Sequence, residues 1–227
     1  MLLSFLTLGV LLGLKHALEA DHLSTVATLA SRSSSTRQMV GVATAWGCGH
    51  AAALVVLGSA LVALGSALPE NVVRLFEAAV GGILVALGID VLRRVRRQRV
   101  HVHVHEHGGA KHLHAHAHAT SLEAHDHLHV PLLRRSLLVG GVHGLAGSAA
   151  VTVLALPAGS FPRALSYLVA FGAGSVAGMI ALTLAVSAPI LWTFRKQAKA
   201  TLVLKCLLSG IDLGLGAWIV VQSGVFH

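Results

Sequence analysis

Apolar and polar stretches alternate along the chain as six long apolar runs, with short polar breaks and one long polar segment in the middle. The runs cover about 2 to 30, 39 to 64, 72 to 92, 136 to 157, 164 to 191 and 201 to 223. A hydrocarbon layer about 30 Å thick takes roughly 20 helical residues to cross, and every run reaches that length. In lipid the backbone must satisfy its own hydrogen bonds within the segment, which at this length means helix. The expected fold is an all-α integral membrane protein of six transmembrane helices.

The two halves also resemble each other. His16-Ala17-Leu18-Glu19-Ala20-Asp21 lines up with His143-Gly144-Leu145-Ala146-Gly147-Ser148, and Gly47-Cys48-Gly49-His50 with Gly172-Ala173-Gly174-Ser175. Gly82 and Gly88 line up with Gly210 and Gly216. Three spans per half force the second half to insert upside down relative to the first. The expectation is two inverted three-helix repeats, 1–92 and 136–227, joined by a loop over 93–135, with sites near the midplane between the halves.

Composition agrees with a bilayer environment. The chain is 55% apolar and only 11% charged, against about 25% charged in soluble domains. Its 24 glycines against 4% aromatics suit helices packed closely through small residues. The net charge of +8 would fit a nucleic-acid binder, but the basic residues sit between the apolar runs, so no nucleic-acid partner is expected. Of the 17 Lys and Arg, 13 fall on one side (Arg32, Arg37, Arg93, Arg94, Arg96, Arg97, Arg99, Lys111, Arg134, Arg135, Arg195, Lys196 and Lys199), against Arg74 and Arg163 on the other. The positive-inside rule then puts both termini outside and the 93–135 loop in the cytoplasm of a multi-pass cytoplasmic-membrane protein. The apolar start lacks the basic n-region of a signal peptide. Cys48 and Cys206 lie within apolar segments, which argues against a disulfide framework.

The first run carries Lys15, His16, Glu19, Asp21 and His22 within eight residues. Each ionisable group costs about 2.5 to 3.5 kcal/mol at the bilayer centre, so the cluster points to function. Only 13 apolar residues, about 20 Å of helix, precede it, too few to place it at the far headgroups. Two imidazoles and two carboxylates form the borderline N/O ligand set of nickel, cobalt, zinc or manganese, without the thiolates expected for copper(I). His50, mid-way along the second run just after Gly47 and Gly49, is the candidate third imidazole. At 100° per residue, His16 and Asp21 differ by about 140° and His16 and His22 by about 120° the other way, so a straight helix cannot aim all three at one ion. Either Glu19 participates or the helix breaks near Ala17 to Ala20. His143 and Ser148 are candidates for the pathway, as is Asp212, an intramembrane carboxylate in the sixth run. Asp90 is placed to pair with Arg93 or Arg94, and Lys205 to snorkel.

These residues resemble the nickel/cobalt transporter superfamily. Its signature, a His, four residues, then Asp-His, reads here His16-Ala17-Leu18-Glu19-Ala20-Asp21-His22, and its Gly-His pair reads Gly49-His50. Val142-His143-Gly144-Leu145-Ala146-Gly147-Ser148 looks like the short H-type urease accessory permeases in particular. Lys15 stands where the larger permeases usually have Arg, Glu19 where many have Asp, and six spans replace eight. The resemblance implies transport of Ni2+ or Co2+ by the first-helix residues His16, Asp21 and His22; no tightly bound cofactor is expected.

Residues 101 to 129 hold His101, His103, His105, His107, His112, His114, His116, His118, His125, His127 and His129, mostly as His-x-His. In an extended chain alternate residues share a face, so neighbouring imidazoles can share an ion. The segment is expected to buffer or sense metal.

No Gly-x-x-x-x-Gly-Lys-Ser/Thr motif is present, so the chain carries no ATPase of its own. A dication entering a negative interior gains about 4.6 kcal/mol per 100 mV, more than a thousandfold accumulation, which favours uptake. The alternatives are proton-coupled nickel or cobalt efflux, since the family resemblance extends to exporters with His-rich loops, and a membrane metal-binding adaptor for urease or hydrogenase maturation proteins. Glu19 follows His16 by three residues rather than one, so the zincin His-Glu-x-x-His spacing is absent and no enzyme is expected.

Overall fold

The structure is a computed structural model; it describes all residues except 1, 32–34, 98–100, 108–109, 117–129, 156–158, 197 and 226–227. The helices are α1 (Leu2–His16), α2 (Ala20–Ala30), α3 (Thr36–Leu64), α4 (Glu70–Arg97), α5 (Val130–Ala155), α6 (Phe161–Lys196) and α7 (Ala198–Gln222). Five of them, α3 to α7, are each long and apolar enough to cross a membrane. The pair α1 and α2 makes a sixth candidate span if the two, bent by 60° at their junction, are taken together. The protein is a helical membrane protein.

Helix limits follow local chemistry. Ser35 caps α3, its Oγ accepting from the Gln38 N–H at 3.3 Å. Gly65, at φ 60°, ends it in the left-handed conformation that a side chain disfavours, while Ser66 N–H returns to the Leu61 carbonyl. Pro189 lies inside α6 without ending it, as membrane helices tolerate when neighbouring hydroxyls and helices supply partners; Thr193 Oγ1 donates to the Pro189 carbonyl at 2.8 Å. At the end of α4, Asp90 accepts from Arg94 Nε at 3.1 Å.

The departure from helix among the described residues lies in the histidine segment. Strands β1 (His101–His107) and β2 (Ala110–His116) pair antiparallel. His101 stands opposite His116, His103 opposite His114 and His105 opposite His112. His118, His125, His127 and His129 lie outside the described residues.

In the bundle, α3 packs on α5 and α6, α1 on α6, and α4 on α7, while the short α2 contacts α6 and α7. The interior is polar for a protein core: Ser24, Thr25, Thr28, Ser175, Thr183 and Ser209 are buried, while Leu3, Leu11, Val56, Trp192 and Ile211 are exposed. Lipid is as apolar as leucine, so burial of leucine gains little there and close backbone contact carries the packing instead. A Cβ on Gly140 would collide with the Trp46 carbonyl and one on Gly49 with the Leu137 carbonyl, which sets the approach of α3 and α5. Likewise a Cβ on Gly13 would meet the Phe171 carbonyl and one on Gly174 the Val10 carbonyl, which sets the approach of α1 and α6.

Candidate metal centre

The site forms where α1 stops. Leu18 and Glu19 N–H turn back to the Lys15 and His16 carbonyls at 3.0 Å each, three residues away, so the last turn tightens. Glu19 then adopts an extended backbone (ψ 152°), and α2 begins with Leu23 N–H bonding to the Glu19 carbonyl. Charges at the junction suit both macrodipoles: Lys15 and His16 close α1, and Asp21 opens α2. Ala17 is fully buried at the break, against Gly178 of α6.

The break brings His16 and His22 onto one side and sets their ring centroids 4.4 Å apart. His50 of α3 completes a triangle, 5.2 Å from His16 and 5.1 Å from His22. One ligand nitrogen of each can be chosen so that all three lie within 4.8 Å of one another. An ion bonded at about 2.1 Å in tetrahedral geometry would need nitrogens about 3.4 Å apart, so modest ring rotations close the site. Glu19, Asp21 and His22 form a second such group on the more open side.

Hydrogen bonds decide which nitrogens face inward. Glu19 Oε1 lies 3.0 Å from His16 Nδ1, and Asp21 Oδ1 lies 3.0 Å from His22 Nδ1. An ionised carboxylate only accepts, so each Nδ1 carries the proton and each Nε2 keeps its lone pair. Both Nε2 atoms are buried with no partner among the described residues, as are both nitrogens of His50. A buried polar atom left unpaired costs about 1–3 kcal/mol, and four in one cluster mark a place where polarity is kept for a ligand.

His143 of α5 lies beside this group, its ring 5.8 Å from His22. Its Nδ1–H donates to the Val139 carbonyl at 3.1 Å, and its buried Nε2 is without a partner. Ser148 is buried but donates to the Leu145 carbonyl at 2.6 Å. Asp212, fully buried on α7, accepts from Thr28 Oγ1 at 2.6 Å and from Ser24 Oγ. It therefore ties α7 to α2 beyond His22 rather than joining the imidazoles.

Two participants were not read from the sequence. Trp46, fully buried, sits 5.3 Å from His22 and 5.5 Å from His143; the signal was its position one turn before His50 on the same helical face. Glu77 of α4 lines a cavity of about 350 Å³ together with His16, Glu19, Asp21, His22, His143, Trp218 and Gln222. Its signal was a carboxylate inside an apolar run.

The urease accessory protein UreH of Bacillus sp. (strain TB-90) is 33% identical to this chain over 208 residues, 86% of this chain and 81% of the relative. The chain belongs to the UreH family of urease accessory proteins. The family is the short branch to which the His16 to His22 motif and the Val142 to Ser148 stretch point. The chain matches no protein-family profile and no solved structure.

Proposed function

We propose that this member of the UreH family is a secondary permease that takes up Ni2+, with Co2+ as a second substrate, across the cytoplasmic membrane. The observation that carries the reading is the buried triangle of His16, His22 and His50, with unpartnered Nε2 atoms, at a break in a membrane helix. Neutral imidazole suits nickel and cobalt, and the ion is the cargo rather than a resident cofactor. Glu19 and Asp21 hold the rings of His16 and His22 by Nδ1, the arrangement that orients metal-binding histidines elsewhere. His143, whose Nε2 is free for the same reason, takes the ion next along the pathway, and Asp212 fixes α2 against α7 while the ion passes.

The inverted-repeat reading is supported by matched contacts. The alignment that pairs His16 with His143 and Gly49 with Gly174 turns the Gly140–Trp46 contact into Gly13–Phe171, and the Gly49–Leu137 contact into Gly174–Val10. The helix pairs α3·α5 and α1·α6 exchange under the same operation. On this reading 1–92 and 136–227 are the two repeats, and 93–135 is a cytoplasmic segment whose histidines buffer the arriving metal.

The test is uptake of nickel into proteoliposomes under an imposed inside-negative potential. Accumulation that follows the potential and vanishes in His16→Ala and His22→Ala supports the permease. Uptake only against an opposing proton gradient would indicate efflux in reverse, and binding without flux would indicate the urease or hydrogenase adaptor.

A further inference from the structure

We propose that Glu77 is the capture residue of an outer vestibule, holding a hydrated divalent metal ion by charge before it sheds water and enters the imidazole cluster. The proposal rests on the permease reading and adds a residue to its entry path. Glu77 lies seven residues, about 10 Å, inside the start of α4, where Val72, Val73, Leu75 and Phe76 precede it and Arg74 is the other charge. A carboxylate at that depth is costly unless it faces water or a ligand.

Glu77 faces a cavity. It shares the 350 Å³ space with Glu19, His22 and His143, between the start of α4 and the end of α7 at Trp218 and Gln222. Those helix ends lie on the side of the chain termini, which the distribution of basic residues makes the outer side. Among the described residues Glu77 has no hydrogen bond or ion pair, whereas the nearest base on its helix, Arg74, is held by Glu70 at 2.5 Å. A second feature points to a ligand in the same space: His143, 2% exposed and with an unpartnered Nε2, is one of the residues that line it. Glu77, Glu19 and Asp21 therefore set three carboxylates around the same space as the imidazoles of His16, His22 and His143, an arrangement that draws a dication in by charge.

The repeat supplies a contrast. The alignment that pairs Gly82 with Gly210 and Gly88 with Gly216 pairs Glu77 with Lys205. One repeat thus carries an acid at the position where the other carries a base, so the two halves differ in charge there.

Initial rates of nickel uptake in proteoliposomes holding the full chain test this. Glu77→Gln should raise KM about fivefold and leave the maximal rate within about twofold, because the charge acts on encounter rather than on the bound site. Glu77→Asp should restore KM to within about twofold of wild type. High salt should raise the wild-type KM towards that of Glu77→Gln. An unchanged KM in Glu77→Gln overturns the proposal while leaving the permease reading intact. Absence of wild-type flux sinks the permease reading, and binding then decides on Glu77. The cobalt(II) ligand-field spectrum of the buried site, isolated as wild type minus His50→Ala, should develop more slowly in Glu77→Gln with the same final shape. A changed shape would make Glu77 a direct ligand and overturn the capture role, as would an unchanged rate.

Discussion

Replacing His50 with Ala separates a metal site from a buried packing histidine. In wild type both ring nitrogens of His50 are buried and unpartnered, a cost of about 1–3 kcal/mol each that Ala removes. Against that relief, Ala forfeits ring contacts with His16 and His22 and leaves a gap, typically worth about 2–5 kcal/mol for a large buried side chain. The two effects largely cancel, so metal-free stability should shift by no more than about 2 kcal/mol. Metal-dependent stability behaves differently. Disturbing even an outer partner of a metal ligand costs about 10–100-fold in affinity, so loss of a ligand should cost at least about 100-fold. At a nickel concentration 100 times the wild-type Kd, the ion stabilises wild type by about 2.7 kcal/mol and the variant by only about 0.4 kcal/mol. The assay is unfolding of detergent-solubilised protein with and without nickel. A His50→Ala protein that keeps the full nickel-induced stabilisation, while a protein lacking residues 101–129 loses it, would refute the buried site.

Gly140→Ala should destabilise the bundle by about 1–3 kcal/mol through collision with the Trp46 carbonyl, and Gly13→Ala should act alike at Phe171; equal thermal stability of either variant to wild type would contradict the close approach. Nickel binding to the buried site should weaken steeply as the outer pH falls from about 7.5 to 5.5, by more than one proton per ion, because imidazole ligates only when neutral. His50→Ala should flatten that slope and His143→Ala should leave it nearly unchanged, as measured by nickel titration of protein lacking residues 101–129; affinity independent of pH would exclude histidine ligands. Deleting residues 101–129 should lower the nickel retained by cells more than the initial uptake rate in proteoliposomes, and complete loss of flux in a correctly inserted deletion would place the segment in the pathway.

Much of the bundle is legible in the chain. Run length and the scarcity of charge specify membrane helices, because hydrocarbon gives a backbone no other way to satisfy its hydrogen bonds. The helical wheel left two choices, participation of Glu19 or a break near Ala17 to Ala20, and the chain breaks there. The histidine segment was legible as a His-rich loop, but its hairpin and register were not, because the pairing depends on where the turn falls rather than on a monotonous His-x-His pattern.

Sequence alone determined the residue types at the site, their order and the family motif they spell. Tertiary structure decided what they do for one another. That Glu19 and Asp21 lie on Nδ1 atoms of His16 and His22, leaving Nε2 inward, depends on side-chain rotation after the break. That Asp212 meets Thr28 and Ser24 across 184 and 188 residues depends on how α7 lies against α2. Glu77 stood out only as a carboxylate inside an apolar run, since which face of α4 turns to the cavity is set by its packing on α7. Local pattern encodes helices and their breaks through backbone bonds between near neighbours, whereas the meeting of distant polar groups is set by the close approach of helices at glycines, a property of the assembled bundle.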